Sequence, residues 1–159
     1  MNVSISLKIS SFLISAVAFV TLIGPYAADW NETHIYNPRW PPHAKFHNGQ
    51  TMLLGTLLSI SALWYIWKPV TINKIKISNL LTAILLSSLY WISQSLSILY
   101  PETGFTDPEF GEIPKFIGIP SQLLFDLPLL ITLLITAYLV IKTASRLPEV
   151  EPDIRLNHI

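Results

Sequence analysis

The sequence predicts an all-α integral membrane protein, built as an antiparallel bundle of four transmembrane helices. Composition is the first reason: only 13% of the 159 residues are charged, about half the share found in soluble domains. The second reason is distribution, because the charges collect in short segments separated by four long apolar runs. Each run approaches the ~20 residues with which a helix crosses the hydrocarbon layer, and this length is the third reason.

The four spans are predicted at residues 9–28, 51–67, 77–99 and 122–143. The second span could begin earlier, at Pro41, since proline suits the first turn of a helix. We interpret the first span as a retained helix and not as a cleaved signal peptide, because Pro25 or Tyr26 would occupy a position that needs a small residue. The spans make residues 1–143 one transmembrane domain, with outer loops at 29–50 and 100–121 and a polar tail at 144–159.

The distribution of Lys and Arg predicts the orientation in the membrane. Seven of these residues lie before the first span, between the second and third, or at and beyond the end of the fourth: Lys8, Lys68, Lys74, Lys76, Lys142, Arg146 and Arg155. The two longer loops hold only Arg39, Lys45 and Lys115. Because positive charge favours the cytoplasmic side, we expect both termini in the cytoplasm and the outer loops on the periplasmic, extracellular or luminal side.

Charge and cysteine content exclude several functions. The formal net charge is zero and no block of Lys or Arg stands out, so nothing favours a nucleic-acid partner. The chain has no cysteine, which excludes disulfides, thiolate metal sites and cysteine nucleophiles. Any metal ion would have to be bound by imidazole, carboxylate or amide groups.

The segment NPRWPPHAKFHNGQ, residues 37–50, concentrates the polar chemistry of the chain. If the second helix begins at its two prolines, His43 and His47 lie one turn apart on the same face, with Gln50 close to that face. Zinc helices use the same H-x-x-x-H spacing. The glutamate of the zinc-protease pattern is absent between the two histidines, so protease chemistry is unsupported.

His34 and Asp29 precede this segment and extend the predicted site. A loop of this length can fold His34 back over the start of the second helix, and the other outer loop adds acidic residues on the same side. We therefore predict a metal site formed by His34, His43, His47 and Asp29, suited to zinc, iron or copper. One alternative is catalysis or ligand binding without a metal. The other is a structural or partner-binding loop that is polar and aromatic only because lipid headgroups lie beside it.

Asp126 lies within the fourth span and is the candidate catalytic residue there, with His34 as the second. A carboxylate at that depth is costly unless it is paired or faces a polar cavity. Tyr90 and Gln94 share a face of the third span and could line such a cavity with Asp126. The alternative is that Asp126 lies near the outer boundary, where the cost falls.

The string THIYNPRWPPHAKFHNGQ resembles a pattern of small, uncharacterised four-helix membrane proteins, the DUF6640 family. The shared motif is H-x2-N-P-x-W-P-P-H-x2-F-H, beginning at His34 and ending at His47. The resemblance implies the four-helix layout and implies no mechanism. The overall plan is also similar to the EXPERA group of sterol isomerase and sigma-2-like proteins, whose motif does not match, so that likeness concerns the fold alone.

These observations leave three hypotheses for function. The first is a metal-dependent membrane enzyme that acts on a small or lipid-soluble substrate at the outer surface. The second is a non-catalytic subunit of a larger membrane complex, in which the histidine loop docks another membrane protein. The third is a lipid-binding or isomerase-like protein that uses Asp126 and a histidine as acid and base. Membrane lipid is an expected partner in all three.

Overall fold

The computed structural model describes residues 2–112 and 114–148, and in this part of the chain it contains four long α-helices packed against one another. Helix α1 spans Val3–Asp29, α2 Pro42–Trp67, α3 Asn73–Leu96 and α4 Ser121–Ala144. The long connection between α3 and α4 holds two short 3-10 turns and a small antiparallel pair, β1 Lys115–Phe116 and β2 Ile119–Pro120. The predicted all-α four-helix bundle is confirmed.

Local sequence explains where the helices begin. The side chain of Asn2 accepts a hydrogen bond from the Ser4 amide at 3.0 Å and so caps α1. Helix α2 begins at Pro42, nine residues before the predicted position 51, because Pro41 and Pro42 provide a preorganised first turn. Its first two turns are polar and therefore do not register as a membrane span, although they are helical.

Interhelical hydrogen bonds fix the antiparallel arrangement. The end of α1 meets the start of α2 through Asp29 and Asn48, while Trp67 at the end of α2 donates to Ser15 in the middle of α1. The start of α1 also meets the end of α4, where the hydroxyl oxygens of Ser6 and Thr143 are 2.6 Å apart. The bundle thus has a terminal end, with the start of α1 and the end of α4, and a histidine end, with connections 30–41 and 97–120.

The bundle exposes large apolar side chains on its outer surface and buries small polar ones beside its apolar core, unlike a typical soluble helical protein. Phe12 and Leu134 are each 70% exposed on the outer surface. Many buried positions instead carry small hydroxyl side chains: Ser6, Ser10, Ser11, Thr21, Ser59, Ser87, Thr136 and Thr143. Small hydroxyl residues let helices approach closely in lipid. Since all four helices are also long and apolar enough to span a bilayer, the chain is a multi-pass membrane protein.

Gly55 lies at a close approach of three helices. A Cβ atom at this position would lie 3.1 Å from the carbonyl oxygen of Thr21, 3.1 Å from Cγ of Pro25 and 3.3 Å from a ring carbon of Tyr90. The missing side chain therefore permits α2 to pack against α1 and α3 near the histidine end.

Candidate functional site at the histidine end

A cap over the histidine end is formed by the two long connections, which bind each other through side chains. Arg39 pairs with Glu109 at 2.7 Å, and the indole N–H of Trp40 donates to Asp107 at 2.9 Å. Asn37, which is fully buried, accepts from the Arg39 amide and donates to Glu109. These contacts fix the first connection against the second, and a single polar residue, Asn37, lies at their centre.

The cap borders a partly open cavity of about 310 Å³ beside His34. Aromatic and polar side chains line it together: Thr33, His34, Trp40, Phe105, Thr106, Asp107 and Phe110, with Gly104. The His34 ring meets the Trp40 ring edge to face, with 5.3 Å between their centres. A small ligand in this cavity would contact apolar ring faces and a few polar atoms, as is typical of small-molecule sites.

The hydrogen bonds around His34 fix which ring nitrogen carries the proton. Asn31 donates its amide to the carbonyl of Ala28, so its Oδ1 atom is an acceptor. The hydroxyl of Thr33 lies 2.6 Å from that Oδ1 and donates its proton there. It must therefore accept from Nδ1 of His34, 2.7 Å away. The Nε2 atom of His34 is left facing Asp29 Oδ1 at 3.7 Å.

Asp29 connects this histidine to the start of α2. Its second carboxylate oxygen accepts a hydrogen bond from the side-chain amide of Asn48 at 2.7 Å. Asn48 is buried, and its own Oδ1 atom has no hydrogen-bond partner in the described part of the chain. A continuous set of polar contacts thus runs beneath the cap from His34 through Asp29 to Asn48.

His43 and His47 form a separate pair on the exposed face of α2. Their Nε2 atoms are 3.0 Å apart, and Nδ1 of His47 is 3.0 Å from Oε1 of Gln50. Because the amide oxygen can only accept, Nδ1 of His47 carries a proton, and the lone pair of its Nε2 atom accepts a hydrogen bond from Nε2–H of His43. The start of α2 at Pro42 places both rings on one face, as the spacing predicts.

The structure does not bring the four predicted metal ligands together. Among the residues that the structure describes, no three His, Asp or Glu side chains gather closely enough to hold one metal ion. His34 contacts Asp29, whereas His43 contacts His47. Two acidic residues of the second loop are otherwise engaged, since Asp107 binds Trp40 and Glu109 binds Arg39. Instead of one metal centre, the structure contains two separate pairs, His34 with Asp29 and His43 with His47.

Asp126 is fully buried between α3 and α4, and both of its carboxylate oxygens accept hydrogen bonds. Gln94 donates to Oδ1 and Ser95 donates to Oδ2, each at 3.0 Å. No hydrogen bond or ion pair joins Asp126 to a histidine within residues 2–112 and 114–148. These contacts favour a packing role for Asp126, and its catalytic role with His34 stays a prediction.

Two residues of this end were not identified as site residues from the sequence. Thr33 orients His34, and Asn37 holds the cap, yet neither residue type signals such a role by itself. In the sequence, Asn37 was noted only as a position of the family motif that begins at His34. Its burial depends on the second connection, 72 residues further along the chain, and no local pattern reports that contact.

Comparison with known families places most of the chain in one group. The model of a family of unknown function, DUF6640, matches residues 13–131. This range includes α2, α3, both connections and the larger part of α1. Neither curated proteins nor solved structures provide a match.

Proposed function

Because this chain belongs to the DUF6640 family, whose function is unknown, we propose a function from its own geometry: the protein binds a transition-metal ion at its histidine end through His43 and His47. One observation carries the proposal, namely the 3.0 Å separation of the two Nε2 atoms on an exposed helix face. Zinc, iron and copper all accept imidazole ligands of this kind.

The distance fits a shared metal ion. Metal–nitrogen bonds of about 2.0–2.1 Å at a tetrahedral angle hold two ligand atoms roughly 3.3–3.4 Å apart. Small rotations of the two exposed side chains supply the difference from 3.0 Å. Gln50 accepts the Nδ1 proton of His47 and so leaves the Nε2 atom of that ring to bind the metal, as outer hydrogen-bond partners of metal-binding histidines commonly do. His43 binds the metal in the tautomer that carries its proton on Nδ1.

Two protein ligands leave coordination positions for water or a substrate. A metal ion with an open position can polarise a bound group or activate a water molecule, so the site suits an enzyme acting on a small or lipid-soluble molecule. The cavity beside His34 is lined by neither His43 nor His47, so it is a separate candidate site for a small molecule. There the Nε2 atom of His34, close to Asp29, is available to accept or donate a proton.

We also propose that both termini face the cytoplasm and that the histidine end lies on the outer side. The unequal distribution of Lys and Arg supports this orientation. The natural absence of cysteine makes the test simple, because Glu32→Cys and Lys74→Cys each introduce one thiol. A membrane-impermeant maleimide added to intact cells should label position 32 and not position 74, and the opposite labelling would reverse the orientation.

The metal proposal is tested by titration of detergent-purified protein with zinc in competition with a chromophoric chelator. We expect one ion per chain, with at least tenfold weaker binding in His43→Ala and in His47→Ala. Removing the second partner in Gln50→Ala should weaken binding by about tenfold. Lys45→Ala is the matched control, because Lys45 lies between the two histidines on the same helix and should leave affinity unchanged.

Equal zinc affinity in all four variants would contradict the proposal. In that case the non-catalytic subunit becomes the better hypothesis, and the corresponding result is a membrane protein that copurifies with the wild type. The isomerase-like hypothesis has less support, because both oxygens of Asp126 are already engaged by Gln94 and Ser95.

A further inference from the structure

A second cavity, of about 370 Å³, lies at the terminal end of the bundle. It is bounded by the start of α1, the end of α2 and the start of α3, and it opens to the surface. Its polar lining includes Lys8, Lys76, Asn73 and Ser4, with Trp67 at the wall. None of the lining residues is acidic. The cavity therefore presents hydrogen-bond donors and positive charge.

The two lysines are held differently. The ammonium group of Lys76 donates to the carbonyl of Ile66 in the last turn of α2 and lies 5.8 Å from the centre of the Trp67 ring. These contacts hold Lys76 at the cavity wall. Lys8 has no acidic partner within the described ranges of the chain. Two positive charges thus face one cavity with no carboxylate to balance them there.

The end of α2 at Trp67 indicates that the cavity lies near the membrane–water boundary. Trp67 is the last residue of α2 and is 63% exposed, while its indole N–H donates to Ser15 at 3.0 Å. Tryptophan favours the membrane–water boundary, because it combines an apolar ring with a polar N–H. Lipid phosphate groups lie at this same boundary.

The surface beside the cavity is suited to an acyl chain. Phe12 follows Lys8 by four residues and Phe19 follows Phe12 by seven, so all three lie on nearly the same face of α1. Phe12 is 70% exposed and Phe19 is 57% exposed. A lipid whose headgroup lies at Lys8 could therefore extend its tail along this apolar face toward the middle of the membrane.

We propose that this cavity binds a phosphate group through Lys8 and Lys76, and that the phosphate is carried by an anionic membrane lipid. Ammonium groups make strong charge-assisted hydrogen bonds to phosphate oxygens, and the Asn73 amide and Ser4 hydroxyl add neutral donors. A soluble phosphate compound offers the same group without the acyl chain. The site is separate from the proposed metal site and does not depend on it.

The test is native mass spectrometry of the full chain released from micelles that contain phosphatidylglycerol and phosphatidylcholine. We expect the wild type to retain one phosphatidylglycerol in preference to phosphatidylcholine. Lys8→Gln should weaken that retention about fivefold, the value expected for one lysine at an anionic surface. Lys76→Gln should weaken it at least as much. Lys74→Gln is the matched control, since Lys74 is exposed, undergoes the same charge change and does not line the cavity.

The outcomes separate the alternatives. The side chain of Lys8 makes no hydrogen bond or ion pair within the described residues, so Lys8→Gln should fold normally. This variant therefore tests the proposal even if Lys76→Gln unfolds. Equal lipid retention in the wild type, Lys8→Gln and Lys74→Gln would overturn the proposal. A titration with inorganic phosphate identifies the source: binding as tight as that of the lipid, and weakened in Lys8→Gln, supports the phosphate site but assigns it to a soluble ligand.

Discussion

The buried contact between Asp126 and Gln94 predicts a measurable coupling between α3 and α4. Hydrogen bonds between transmembrane helices contribute about 0.6 kcal/mol on average and up to about 1.7 kcal/mol. Asp126 accepts two of them, from Gln94 and Ser95, so the network contributes roughly 1–3 kcal/mol. The single change Asp126→Ala does not isolate this value, because it also removes a carboxylate that is costly to bury.

A double-mutant cycle isolates the pair. We expect the combined Asp126→Ala and Gln94→Ala variant to lose about 0.6–1.7 kcal/mol less than the sum of the two single losses. The assay is reversible unfolding in mixed micelles by increasing the mole fraction of denaturing detergent, followed by far-UV circular dichroism. Ser88→Ala is the control partner, because its exposed hydroxyl binds only a carbonyl of its own helix. Zero coupling between Asp126 and Gln94 would refute the assignment of a packing role to this network.

Other predictions concern packing within the bundle and the cap. Gly55→Ala should lower the free energy of unfolding by about 1–3 kcal/mol, because its Cβ would meet backbone only 3.1 Å away. Gly49→Ala, on the same helix with nothing within 4 Å, should instead raise it by up to about 1 kcal/mol. Thr21→Val should cost about 1–3 kcal/mol in the same unfolding assay, since the buried indole N–H of Trp91 loses its acceptor at 2.8 Å. Asn37→Ala should leave helix unfolding nearly unchanged and increase proteolysis in the cap, and unchanged proteolysis would count against its central place there.

The fold could be predicted from the sequence because its main determinant is local. A run of apolar residues of membrane-spanning length specifies a helix and its length with little help from the rest of the chain. The start of α2 was harder, since residues 42–50 are helical but polar, and hydropathy does not distinguish them from a loop. Only the two prolines indicated the true beginning, at Pro42.

The same distinction between local and long-range determinants applies to the candidate site. The contact between His43 and His47 follows from helical periodicity, so the spacing alone was sufficient to predict it. The position of His34 depends on a loop whose path is set by Asn31, Thr33 and the second connection. Some of these contacts join residues that are distant in sequence, and others depend on the exact geometry of a turn. No repeat or periodicity in the sequence predicts them. The sequence therefore predicted that the side chains of the four predicted metal ligands lie at one end of the bundle, but not their division into two pairs.

Elemental analysis of protein purified without chelator tests the central claim most directly. The measurement compares the wild type with the double variant His43→Ala and His47→Ala, each normalised to protein concentration. The proposed function predicts close to one zinc, iron or copper ion per wild-type chain and almost none in the double variant. No transition metal in the wild type, or the same content in both proteins, would contradict it.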